Sequence, residues 1–257
     1  MELATYLNDD EFALEKAEED AQAGKFSGVC LLARMGAIDS QSGKIVDSKA
    51  AAHALTRLRQ FAPRIMTDDR ALTLMHRLWI GSHLGNRDVD ERPYGIASTQ
   101  EQWKELEAIT SGRRTLLGQT RVPYVNFWLA VALAHLGDMR RSLQMTEEVQ
   151  SNSLAFGRRR LNPLVYLSDE NGIPRQLAAI VRRRDEEDLL TVFVHTLGIE
   201  VRIPKRYQGV PTMNNLQRGD EVTILVAFNY WNPMGVGVTW GESNSATPFL
   251  DSAFAQG

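Results

Sequence analysis

The chain has 257 residues, 43% of them apolar and 24% charged, with a formal net charge of −3. That balance excludes a disordered or collagen-like chain, and no apolar run approaches the roughly 20 residues of a membrane helix. A single cysteine, Cys30, excludes an internal disulfide framework and a multi-cysteine zinc site. The polar, acidic N-terminus is unlike a signal peptide, so a cytoplasmic location with no membrane partner is expected.

Residues 1–20 carry eight acids against Lys16 alone, the pattern of a solvated helix whose acids favour its first turn. Segment 9–23 is rich in helix formers and is predicted helical up to Gly24. Residues 26–36 are short and apolar and read as a buried helix, with Cys30 as a small core residue. Ser48 is expected to cap a helix through Phe61, with Ala51, Leu55 and Leu58 on its inner face. Asp68 or Asp69 opens the next, where Leu72, Met75, Leu78, Trp79 and Leu84 recur at helical spacing until Gly85-Asn86. After a polar loop at 87–98, Ser98 or Thr99 with Glu101 and Gln102 starts a helix carrying Trp103, Leu106 and Ile109. Residues 125–136 are apolar on nearly every face, which predicts a helix buried all round. Gly137-Asp138 is the turn into a helix at 139–150, with Leu143 and Val149 on one side. His135, in the apolar helix, reads as a satisfied core histidine.

Leu129, Ala130, Gly137, Asp138, Ser142 and Leu143 follow the pattern by which this helix pair resembles a tetratricopeptide repeat. Asn126, Leu133 and Thr146 stand where that family has large aromatics. His83-Leu84-Gly85-Asn86 echoes His135-Leu136-Gly137-Asp138 at a spacing of 52 residues, a repeat of about 34 plus an insertion. The resemblance implies helical-repeat packing over a domain at 1–157.

The hydrophobic period changes from 3.6 to 2 after Asn162-Pro163. Val222, Ile224, Val226 and Phe228 alternate with Glu221, Thr223, Leu225 and Ala227, and Ile199, Val201 and Ile203 alternate likewise. Five short strands are expected at 176–183, 189–196, 199–204, 221–230 and 235–240. Turns fall at Asn171-Gly172, Gly198, Arg218-Gly219-Asp220 and Asn232-Pro233. The expected class is therefore α+β, a helical domain followed by a small five-stranded antiparallel barrel at 162–240 and a flexible tail at 241–257. Leu216-Gln217-Arg218-Gly219-Asp220-Glu221-Val222 and Asn232-Pro233-Met234-Gly235-Val236-Gly237-Val238 resemble the corresponding strings of oligonucleotide-binding and cold-shock barrels. Val192-Phe193-Val194-His195 is similar to a cold-shock string, here on the second strand. The whole chain resembles the C-terminal part of larger bacterial signalling or defence proteins that join helical repeats to a small barrel.

There is no Gly-rich phosphate loop ending in Lys-Ser or Lys-Thr, no nucleophile elbow and no paired-carboxylate signature. The five histidines show no metal-ligand spacing, and Asp88, Asp90 and Glu91 read as a solvated loop. No catalytic residue, cofactor or metal is expected. Two functions follow. The first is a non-catalytic adaptor or sensor whose helical repeats engage a protein partner. The second is a single-stranded nucleic-acid binder using Arg182, Arg184, Phe193, His195 and Arg202 on the barrel. Asp185, Glu186, Glu187 and Asp188 follow the arginines directly and oppose their field.

Overall fold

The computed structural model describes residues 15–17, 19, 20, 22, 23, 25, 37, 38, 44–60, 68–84, 94–117, 123–153, 164–184, 189–204, 216–229 and 233–240. The expectations for Cys30 and the segment 26–36, residues 87–93 of the polar loop, the acids 185–188 and the tail 241–257 lie outside these residues. Helices come first and a closed five-stranded barrel follows. The named helices are α1 (Ser48–Arg59), α2 (Asp69–Leu84), α3 (Gln100–Leu117), α4 (Pro123–His135) and α5 (Met139–Ser153). The strands are β1 (Val165–Tyr166), β2 (Gln176–Arg184), β3 (Leu190–Val194), β4 (Ile199–Ile203), β5 (Glu221–Phe228) and β6 (Pro233–Trp240). Residues 15–17, 19, 20 and 22 are helical as expected. No helix among the described residues is long and apolar enough to cross a membrane. The chain divides into two compact units, one of Met1–Asp88 with Lys104–Trp128, the other of Val89–Trp103 with Leu129–Gly257.

In the first unit α1 packs on α2, burying Ala51, Ala54, Leu55 and Leu58 of one and Leu72, Met75, Leu78 and Trp79 of the other. The cap of α1 is Asp47, not Ser48. Extended backbone at Asp47 brings Oδ1 within 2.7 Å of the Ala50 N–H, and a carboxylate there also meets the positive end of the helix. Asp68 caps α2 in the same way, accepting from the Arg70 and Ala71 N–H groups at 2.8 and 3.1 Å.

In the second unit α3 opens on a capping box. The Thr99 hydroxyl accepts from the Gln102 N–H at 3.3 Å, and the Gln102 side chain accepts from the Thr99 N–H at 2.8 Å. Replacing Thr99 with alanine is expected to lower stability by about 1 kcal/mol. Urea melts check this, and a change within error would mean that Gln102 alone caps the helix. The turn between α4 and α5 is a Schellman motif: Asp138 N–H donates to Leu133 O at 2.9 Å and Gly137 N–H to Ala134 O at 3.1 Å. Gly137 has φ 86°, the left-handed conformation that motif requires. Across the hairpin the buried Ser142 hydroxyl donates to Ala130 O at 2.7 Å, so a small residue on α5 meets a small residue on α4.

The barrel closes in the order β5-β2-β3-β4-β6-β5, with β1 added beside β2 at the end of β5. Every pair is antiparallel except β4 with β6, which is parallel at Arg202↔Met234. The expected all-antiparallel barrel is corrected to a mixed one, and parity is the reason. Five strands in a ring cannot alternate direction all the way round, so one neighbouring pair must run the same way. The interior holds Leu177, Ala179, Val181, Leu190, Val192, Val194, Val201, Ile203, Val222, Ile224 and Val238, all buried. On β5 the outward Leu225 and Ala227 are buried too, so the simple alternation expected there gives way to a strand covered on both faces. The register shifts once in β2 at Arg182 and once in β6 at Gly237, whose φ of 79° suits a glycine bulge. Such bulges sharpen the bend that closure needs.

His135 joins the α4–α5 hairpin to the strands of this unit. Its Nδ1–H donates to Val131 O at 2.9 Å, and its Nε2 accepts from the Ser168 N–H at 3.2 Å. Its ring lies on Trp103, centroids 3.9 Å apart at 17°. The Ser168 hydroxyl in turn donates to Ile96 O at 3.2 Å. The core histidine read from the sequence is a core histidine with a defined tautomer.

Candidate nucleic-acid interface

The outer face of β2, β3 and β4 carries two adjacent rows of side chains. Cross-strand partners share a face, so the register gives the rows directly. One is Arg183–Thr191–Arg202, the other Ile180–Phe193–Glu200. Phe193 is half-buried, while Glu200 and Arg202 are exposed. The Arg182 guanidinium lies over the Phe193 ring, 5.0 Å from its centroid. His195 meets the same ring edge-on, centroids 5.4 Å apart at 88°. His195 is not on a strand: β3 ends at Val194, and residues 195–198 form the turn to β4, closed by Gly198 N–H donating to Val194 O at 2.9 Å.

Four of the five residues expected at this face therefore come together: Arg182, Phe193, His195 and Arg202. Arg184 does not join them. The extra residue at Arg182 shifts the pairing, so Arg183 stands opposite Thr191 while Arg184 stands opposite the buried Leu190. Arg184 thereby falls on the face of the barrel wall opposite Phe193, and Arg183 takes its expected place. Nothing in a run of three arginines announces that shift, because identical side chains hide the period. A second unanticipated feature is Thr191, whose buried Oγ1 has no hydrogen-bond partner among the described residues, between Arg183 and Arg202.

The face is thus a single aromatic ring with a cation on it, a second ring at its edge and a strip of arginine alongside. Glu200 is the acid placed among them. Such a surface can stack a planar base and hold an adjacent phosphate. No protein-family model, curated protein or solved structure matches the chain.

Proposed function

We propose that the barrel binds single-stranded nucleic acid across β2, β3 and β4. The observation that carries this reading is the Arg182–Phe193–His195 cluster flanked by Arg183 and Arg202. The ring order is a further support. Counted within the barrel, β3 and β4 are the second and third strands, and oligonucleotide-binding barrels carry their ligand on that pair. Cation–π contact at an exposed site contributes about 0.5–1 kcal/mol. Base stacking contributes about 1–3 kcal/mol per base. A base on Phe193 therefore outcompetes Arg182, which is released toward the neighbouring phosphate. Glu200 sits directly across from Phe193 and limits affinity for the backbone.

Short poly-T and poly-U oligomers are expected to bind with Kd between about 1 and 100 µM near physiological salt. Fluorescence anisotropy at several salt concentrations measures both affinity and slope. Replacing Arg182, Arg183 and Arg202 together with alanine should lower the slope of log K against log salt by up to about 2, at roughly 0.7 per phosphate contact. Phe193→Ala should weaken binding about 5- to 100-fold with little change in slope, because stacking releases no counterions. Absence of saturable binding by the wild type would leave the α4–α5 hairpin and the adaptor reading in its place.

A further inference from the structure

Glu200 stands at the centre of a face where attraction of a phosphate backbone alone gives an acid no purpose. β4 alternates buried Ile199, Val201 and Ile203 with exposed Glu200 and Arg202, so both charged side chains share the outer face with Phe193. Glu200 is the direct cross-strand partner of Phe193, and such partners have Cβ atoms about 4.5–5.5 Å apart. Arg202 lies opposite Thr191, on the diagonal from Phe193 at about 7–8 Å. On the other side, the exposed Arg182 holds its guanidinium 5.0 Å from the Phe193 centroid. Among the described residues Glu200 has no hydrogen-bond or ion-pair partner. Because Glu200 is exposed and Phe193 only half-buried, a ligand reaches both without any opening of the fold.

A base stacked on Phe193 extends beyond the ring, and toward β4 the first side chain it meets is its cross-strand partner Glu200. An ionised carboxylate accepts hydrogen bonds and donates none, so it selects for an edge made of donors. Bases in single strands leave their Watson–Crick edges free for such contacts. Guanine presents its N1–H and its N2 amino group side by side, one for each carboxylate oxygen, a paired and charge-assisted contact. Adenine and cytosine offer one amino group beside an acceptor ring nitrogen, which repels the second oxygen. Uracil and thymine hold a single N–H between two carbonyls. Guanine alone fits the carboxylate at both oxygens. The same acid weakens backbone contacts for every sequence alike, so its net effect at this position is discrimination among bases.

We propose that Glu200 is the specificity-determining residue of this face and selects guanine for the position over Phe193, an inference that rests on the single-strand reading above. Its carboxylate accepts from guanine N1–H and N2–H while Arg182 and Arg202 take the flanking phosphates. The test is fluorescence anisotropy on the full-length protein with short oligouridines. One strand is all uridine, and in the others one internal uridine is replaced by guanosine, inosine, adenosine or cytidine. The guanosine strand is expected to bind about fivefold or more tighter than the all-uridine strand, the scale of a bidentate base contact. Inosine, which stacks alike but lacks the N2 amino group, should lose most of that gain. Glu200→Gln changes an exposed side chain, removes the negative charge and leaves one acceptor. It should bind the all-uridine strand more tightly, which also shows that it is folded, and bring guanosine and adenosine strands within about twofold of each other. Equal wild-type affinity for all five strands would overturn the guanine assignment and leave strand binding in place. Inosine matching guanosine would overturn the paired contact, and a guanosine preference retained by Glu200→Gln would overturn the role of Glu200. Failure of every strand to bind would overturn the single-strand reading and this inference with it.

Discussion

Truncating Leu133 to alanine is expected to lower stability by about 2–5 kcal/mol, the range for a buried leucine whose removal leaves a cavity. Leu133 is 2% exposed and packs in a cluster with Leu129, Ala130 and Met145. Neighbours cannot easily close the gap. Ala130 is tied through its carbonyl to Ser142, and the Leu133 carbonyl itself ends the helix by accepting from Asp138. Backbone anchors of this kind survive the mutation and hold the hairpin open around the missing side chain. Urea melts measure the loss, and a value below about 1 kcal/mol would mean that the helix crossing relaxes freely.

Acid should destabilise the protein well before its carboxylates are protonated. Burial lowers the His135 pKa to about 4, with Arg175 adding to the effect and the Val131 and Tyr166 backbone opposing it. Burial, then the Arg113 charge, lowers His76 to about 3. Protonation would set a new Nε2–H of His135 against the Ser168 N–H, and a new Nδ1–H of His76 against the Arg113 guanidinium. Both folded values lie below the ordinary 6.5, so the unfolded chain takes up protons first as pH falls. The stabilisation is complete above pH 6.5 and is lost as pH drops toward 4 for His135 and 3 for His76. By pH 5 each ring forfeits about 2 kcal/mol, at about 1.4 kcal/mol per pH unit. Urea melts at pH 7.5, 6.0 and 5.0 resolve this window, and His135→Gln should flatten the part that belongs to His135. Stability that is constant from pH 7.5 to 5.0 would show that both rings reach solvent.

Much of the architecture is legible in the residues because each element carries its own period. Ile199, Val201 and Ile203 name their strand, and Thr99 with Gln102 names the start of α3, since both signals are local. The parallel pairing of β4 with β6 was also within reach, because closing a ring of five forces it. What stayed hidden is whatever depends on register or on distant contacts. The two residues of β1 are too few to show a period. The bulge at Arg182 leaves no mark in an arginine run, and it decides whether Arg183 or Arg184 joins Phe193. The Arg113–His76 contact joins α3 to α2, so no spacing along the chain announces it. Alternation with the buried Val192 and Val194 puts Phe193 on the outer face of β3, and that rule is local.

The parallel seam also has a consequence in time. The last strand, Pro233–Trp240, is the piece that joins β4 to β5. During synthesis every other strand of the ring emerges before it, and those strands can form an open sheet ordered β5-β2-β3-β4. That sheet ends in two bare edges, one on β4 and one along β5, each a template for pairing with another chain. The closing strand is thus also a stopper, and the nascent protein is most prone to self-association in the interval before residues 233–240 leave the ribosome.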